Sequence, residues 1–342
     1  MTALALVRSG RLRRRSRRRA LIVLLATGVA LAFALSLMIG HTFYPPADVL
    51  AVILGRDVPG AGFTVGQLRL PRAIVAVLVG AGFGLGGVTF QTMLRNQLAS
   101  PDIIGITAGA GAAATLAIVV LRLSGAQVSA FAIAAGLGVA VVVYLLSYRH
   151  GVAGTRLILV GIGVAAMLDS VTAYLLSRAG EWDLQQAMRW LAGSLNGVTW
   201  SDVRWLTWAT AVLAPILLAQ TRPLGLLRLG DDTASALGVR VDRTRIVLIV
   251  AAVGLIAFGT AAAGPVAFVA FLSGPIAARI VGRHGSPVLP AALIGALLVT
   301  VADLLGQWAF GTRFPVGVVT GVLGAPYLIY LIIRINRSGG SL

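Results

Sequence analysis

Two aspartates stand inside stretches that are otherwise apolar: Asp169 in I-L-V-G-I-G-V-A-A-M-L-D-S-V at 158–171, and Asp303 in A-L-L-V-T-V-A-D-L-L-G at 296–306. A carboxylate surrounded by lipid is costly, so each is either a working group or one half of a helix-packing pair. Neither has a second carboxylate or a histidine close by in sequence, so neither begins a proton relay. A second set lies in L-G-D-D-T-A-S-A-L-G-V at 229–239. Asp231 can cap a helix start, Asp232 suits the positive helix end, and Gly238 is placed to stop the helix. That pattern predicts a helix of about two turns within the loop 221–245, a rigid handle on which a partner can push. The third set is L-R-L-P-R at 68–72, where Arg69 and Arg72 stand three apart and Pro71 opens a helix. These arginines can pair with acidic groups, or they can snorkel to lipid headgroups.

Composition removes several other chemistries. All 28 basic residues are arginine, and the absent lysine is the one a phosphate loop needs to reach nucleotide phosphates. Without cysteine there are no disulfides, thiolate metal sites or cysteine nucleophile. His41, His150 and His284 fall apart from one another at loops or helix ends, so no metal site is expected. No Ser/His/Asp pattern has a supporting motif, and the chain is read as no enzyme. The run G-A-G-F-G-L-G-G at 80–87 lies within an apolar stretch and lacks the βαβ setting of a dinucleotide fingerprint.

The elements that carry these residues are membrane spans. Hydrophobic residues make up 58% of the chain and the mean hydropathy is +0.93. Ten apolar stretches predict ten helices, at 20–40, 71–91, 103–121, 127–148, 156–177, 203–220, 244–262, 266–282, 289–310 and 316–333. Eight arginines crowd residues 8–19, directly before the first stretch. They supply nearly half of the net charge of +17 as a positive-inside anchor, with no nucleic acid required. The stretch that follows is too long for the core of a signal peptide and is read as a retained helix. Ten spans with both termini inside place 20 of the 28 arginines on that side. Residues 1–19 form a basic segment, 20–334 one transmembrane domain, and 335–342 a tail. The polar segment 178–202, with Trp182, Trp190 and Trp200, predicts a short helix lying along the outer interface.

Six stretches in a fixed order resemble the FecCD-type permeases, the ABC importer subunits for iron–siderophore, haem and cobalamin. They are L-R-L-P-R at 68–72, the glycine-rich 80–111, W-L-A-G-S-L at 190–195, L-G-D-D-T-A-S-A-L-G-V at 229–239, G-P-V-A-F-V-A-F at 264–271 and P-V-G-V-V-T-G-V-L-G-A-P at 315–326. The resemblance implies an all-α, ten-helix permease of the type II ABC importer class, with helices 2–5 and 7–10 as an inverted repeat. It implies a second permease subunit, identical or a paralogue, two ATP-binding cassette subunits below that carry ATP and Mg, and a substrate-binding protein above. It assigns Asp231, Asp232, Thr233, Ala234, Leu237 and Gly238 to ATPase coupling. Arg69 and Arg72 become docking groups for the binding protein, and Ala153, Gly154 and Thr155 a cytoplasmic gate.

Four departures from the family pattern stand out: Arg313-Phe314-Pro315 before the last helix, Gln307 where an outward arginine occurs, Ser273-Gly274-Pro275, and Asp169 at a position that is usually neutral. Arg313 is read as replacing the missing docking charge. The expected function is ATP-driven uptake of a ferric siderophore across the cytoplasmic membrane. Cobalamin or haem uptake, or ion-coupled secondary transport through Asp169 and Asp303, are the alternatives.

Overall fold

The computed structural model describes residues 3–148, 154–282 and 285–337. Its helices are α1 (Ala3–Met38), α2 (Pro46–Ile53), α3 (Ala61–Phe63), α4 (Leu70–Met93), α5 (Ile106–Val119), α6 (Ala126–Ser147), α7 (Gly154–Ser177), α8 (Glu181–Leu191), α9 (Trp200–Ala219), α10 (Thr221–Leu227), α11 (Asp231–Ala236), α12 (Val241–Ala263), α13 (Val269–Val281), α14 (Val288–Trp308) and α15 (Val316–Arg337). A π-helical turn, Thr64–Arg69, joins α3 to α4, so that 61–93 form one rod. Helix α1 runs back through the basic segment, which continues the first span.

Each of the ten expected spans falls on a helix, but among the described residues only eight helices are long and apolar enough to cross a membrane. The other two are corrected to short helices: α5 has 14 residues and α13 has 13. At 1.5 Å per residue each rises only about 20 Å, against roughly 30 Å of bilayer hydrocarbon. Irregular backbone precedes both. Before α5 come the 3₁₀ turn Pro101–Ile104 and Gly105 at φ 82°, and before α13 come Gly264 at φ 70° and Phe268 at φ 64°. Such backbone is tolerated at membrane depth where protein or a cavity surrounds it. The two short helices hold corresponding positions in the expected inverted repeat, the second member of helices 2–5 and of helices 7–10.

Helices α4, α12 and α14 form the centre, with 78%, 72% and 61% of their apolar windows buried. The figure for α7 is 11%, which leaves most of that helix uncovered in the single chain. Glycine brings the central helices together. A Cβ on Gly80 or Gly84 would collide with the backbone of Gly295 or Ala291, so α4 and α14 pack backbone against backbone. The polar segment after α7 contains the expected short helix, α8, with Glu181 and Asp183 in its first turn and Arg189 in its last, complementing the helix dipole.

Ser273-Gly274-Pro275 acquires a mechanism here. Pro275 lies inside α13 and removes the N–H that would bond the Phe271 carbonyl. Gln91, buried at the end of α4, supplies the donor instead, its Nε2 lying 2.9 Å from that oxygen. A Cβ on residue 274 would collide with the Gln91 amide, so Gly274 keeps the space this replacement bond needs.

Candidate functional site

Three places along the bundle bring polar groups together: the two ends of α4 and a chamber beside its neighbours. At the first end Arg72 turns onto Asp303. Arg72 Nε donates to Asp303 Oδ2 at 2.8 Å and Nη2 to Oδ1 at 2.7 Å. Gln307 Nε2 donates to the same carboxylate at 2.9 Å, and Arg72 Nη1 reaches Asn196 Oδ1. Asp303 is only 4% exposed, and this two-pronged pair neutralises a charge that is costly to bury alone. The aspartate expected to be an intramembrane working group and the arginine expected to face outward are thus partners. Asn196 and Gln307 complete the cluster; Gln307 lies one helical turn from Asp303, while no spacing in the sequence announces Asn196.

Arg69 is used differently. Its Nη1 donates to the carbonyls of Leu37 and Met38 at 2.9 and 3.0 Å, and its Nη2 to Thr42 at 2.8 Å, closing the end of α1 where carbonyls lack helical partners. The guanidinium also lies 5.0 Å from the centre of the Tyr44 ring. Arg313 is exposed, meets His41 Nε2 at 2.7 Å and stacks near Trp308. All three arginines line one cavity of about 620 Å³. Trp200 Nε1 donates to Gly66 at 3.0 Å and joins the start of α9 to the π turn on the same rim.

At the opposite end of α4, Asp231 sits between two arginines: Arg95 at 2.9 Å, just beyond α4, and Arg245 at 2.8 Å, in the first turns of α12. The expected short helix is α11, with Gly230 as its N-cap, so Asp231 bridges arginines and does not cap. Gly238 at φ 86° follows its end, as expected. The six residues assigned to coupling divide by face. Ala234 is fully buried, while Asp232, Thr233, Leu237 and Gly238 are exposed, along with Ser235 and Ala236. Arg18, Arg222 and Arg228 line a cavity at this same end. Of the expected gate, Ala153 lies outside the described residues, and Gly154 and Thr155 open α7.

Between the two ends lies a chamber of about 750 Å³ walled by α5, α7, α13 and α15. Both short helices reach it, through Thr107 on α5 and Phe271 on α13, and Asp169 projects into it from α7. One wall is a glycine knot joining three distant motifs. Ser194 N donates to the Ala263 carbonyl at 2.7 Å, and Gly317 N to the Gly193 carbonyl at 3.0 Å. Gly193 and Gly264 both have left-handed backbones, at φ 69° and 70°, and a Cβ on either would strike backbone of the other segment. The stretches 190–195, 264–271 and 315–326 are therefore one structural unit.

The profile of the FecCD transport family matches residues 28–334. The ferric enterobactin transport system permease protein FepG of Escherichia coli (strain K12) is 38% identical over 323 residues, covering 92% of this chain and 96% of that protein. The iron(3+)-hydroxamate import system permease protein FhuG of Bacillus subtilis (strain 168) is 35% identical over 320 residues, covering 90% and 95%. Among solved structures, an inward-facing metal-chelate type ABC transporter superposes with a TM-score of 0.83 at 26% identity, covering 92% of this chain and 99% of the other.

Proposed function

The chain belongs to the FecCD transport family, and from that premise we propose that it is the membrane subunit of an ATP-driven importer of ferric siderophores. It is a multi-span permease with the all-helical type II importer fold. The iron-chelate assignment draws on the relatives, whose names specify ferric enterobactin and iron(3+)-hydroxamate. The observation that carries the ATP-driven reading is α11. It is a short helix clamped to α4 and α12 through Asp231, with Asp232, Thr233, Ser235, Ala236 and Leu237 facing out. A helix held so firmly on its inner side and bare on its outer side suits force transfer from a docked ATPase.

In this proposal the Asp231 end faces the cytoplasm, together with the basic start of α1. The shared cavity of Arg18, Arg222 and Arg228 favours that orientation, because inner-face loops collect arginine. Two ATP-binding cassette subunits, carrying ATP and Mg, seat on α11. A second permease subunit covers the bare faces of α7 and α15, and the chamber between them is the passage. A substrate-binding protein docks on the opposite rim. There Arg69 and Arg313 have no ion-pair partner among the described residues, while the charge of Arg72 is cancelled by Asp303, so the first two carry the steering. Ala153, Gly154 and Thr155 are proposed to gate the cytoplasmic mouth.

Uptake of radiolabelled ferric chelates, cobalamin and haem by cells with and without the gene tests the proposal. Selective loss of ferric-chelate uptake, restored by the gene, is expected. Loss confined to cobalamin or haem would overturn the substrate. Ferric-chelate uptake that survives inactivation of the ATPase would overturn the mechanism in favour of ion coupling.

A further inference from the structure

We infer that Asp169 makes the chamber a charge filter, so that the chelate it passes is neutral or positive overall and not polyanionic. The inference rests on the import reading above and narrows its substrate class. Helix α7 lays Ala165, Asp169 and Thr172 on one stripe facing the chamber, at spacings of four and three residues. Asp169 is the one charged side chain among the described residues of the chamber wall. It also has no hydrogen-bond or ion-pair partner among the described residues, whereas Asp303 is neutralised by Arg72. Its charge is therefore left to act on whatever occupies the space. Charge interactions are screened less in a cleft with low-dielectric walls than in open water, so one uncompensated group sets the sign of the potential there. A second subunit of the same sequence would bring a second Asp169 to the same passage and double the effect.

The chemistry of ferric chelates makes that sign selective. Iron(III) bound by three hydroxamates is a neutral core, and a pendant amine makes the complex a cation. Iron(III) bound by three catecholates carries three negative charges. Asp169 favours the first kind and repels the second. The relatives' names include both enterobactin and hydroxamate and so do not choose between them.

The test uses the complete transporter in cells lacking the native gene, complemented with the wild type, Asp169→Asn, Asp169→Ser or Asp169→Glu. Initial uptake is measured for one chelate that wild-type cells import, prepared with a pendant ammonium, a neutral acetamide or a succinamate carboxylate. The binding protein's own preference enters every strain equally and cancels in the comparison. The ratio of ammonium to carboxylate uptake is expected to fall by about threefold or more in Asp169→Asn and Asp169→Ser, and to be retained in Asp169→Glu. An unchanged ratio in either neutral variant, or an equal loss across the series, overturns the inference. Wild-type cells that import no ferric chelate would instead refute the import reading itself.

Discussion

Arg72 and Asp303, 231 positions apart, are joined by two hydrogen bonds of 2.8 and 2.7 Å that tie the start of α4 to the end of α14. Their side chains are 18% and 6% exposed, so either charge left alone would be poorly solvated. Asp303→Ala should therefore cost about 3 kcal/mol, the low end for breaking a buried pair. Replacing both residues with leucine should recover most of that loss. Thermal unfolding of the purified protein in detergent measures both. Equal losses in the single and double variants would mean that the pair contributes packing and not charge compensation.

Gln91 substitutes for a missing backbone donor, and this predicts an unusual reversal. Gln91→Leu leaves the Phe271 carbonyl without its donor and should destabilise by about 1–3 kcal/mol. Adding Pro275→Ala to that variant returns a backbone N–H to the same oxygen and should restore part of the stability, although removing Gln91 and Pro275 changes two buried sites. A double-mutant cycle on unfolding temperature reads the coupling. Strictly additive effects would separate the two residues.

Most of the architecture was legible because membrane spans announce themselves by length and composition. Each of the ten expected spans falls on a helix, and the short helices α8 and α11 lie where the tryptophans and the acidic pair at 231–232 place them. Spans 103–121 and 266–282 misled because hydropathy records where apolar residues are and not whether the backbone is helical. The left-handed Gly105, Gly264 and Phe268 shorten both helices. Partnership was illegible for a different reason. Arg72 with Asp303, Arg95 with Asp231 and Gln91 with Phe271 are contacts between distant segments, and no local period encodes them. The glycine motifs showed that something packs closely, while only the fold shows that 190–195, 264–271 and 315–326 pack on one another.

That knot gives a third prediction. Alanine at 193 or 264 must adopt a left-handed backbone and also press a methyl into carbonyl oxygens, of Pro265 or of Trp190. Each change should cost at least about 2 kcal/mol and should disturb the chamber wall, lowering uptake. Gly138→Ala is the control. It lies in α6 with nothing within 4 Å of the added methyl, so it should be neutral or slightly stabilising through helix propensity. Similar unfolding temperatures for all three variants would refute the role given to the knot.

The two faces of α11 should separate in experiment. Asp231 and Arg95 are 42% and 46% exposed, so their pair adds little. Arg245, 12% exposed, loses its partner, and Asp231→Ala should cost about 1 kcal/mol, a small shift for a chain of this size. The same change frees the helix from α4 and α12, so uptake should fall severalfold while the unfolding temperature barely moves. Leu237, 57% exposed, contributes little to the fold of the single chain. Leu237→Asp should leave the isolated permease intact and remove the ATPase from the purified complex, because a charge replaces an apolar contact in the interface. If Asp231→Ala retains full uptake, the clamp is dispensable and force must enter elsewhere. If Leu237→Asp retains the ATPase, the exposed face of α11 is not where the partner sits. The pair of variants thus tests anchoring and docking independently, on residues six positions apart in one short segment.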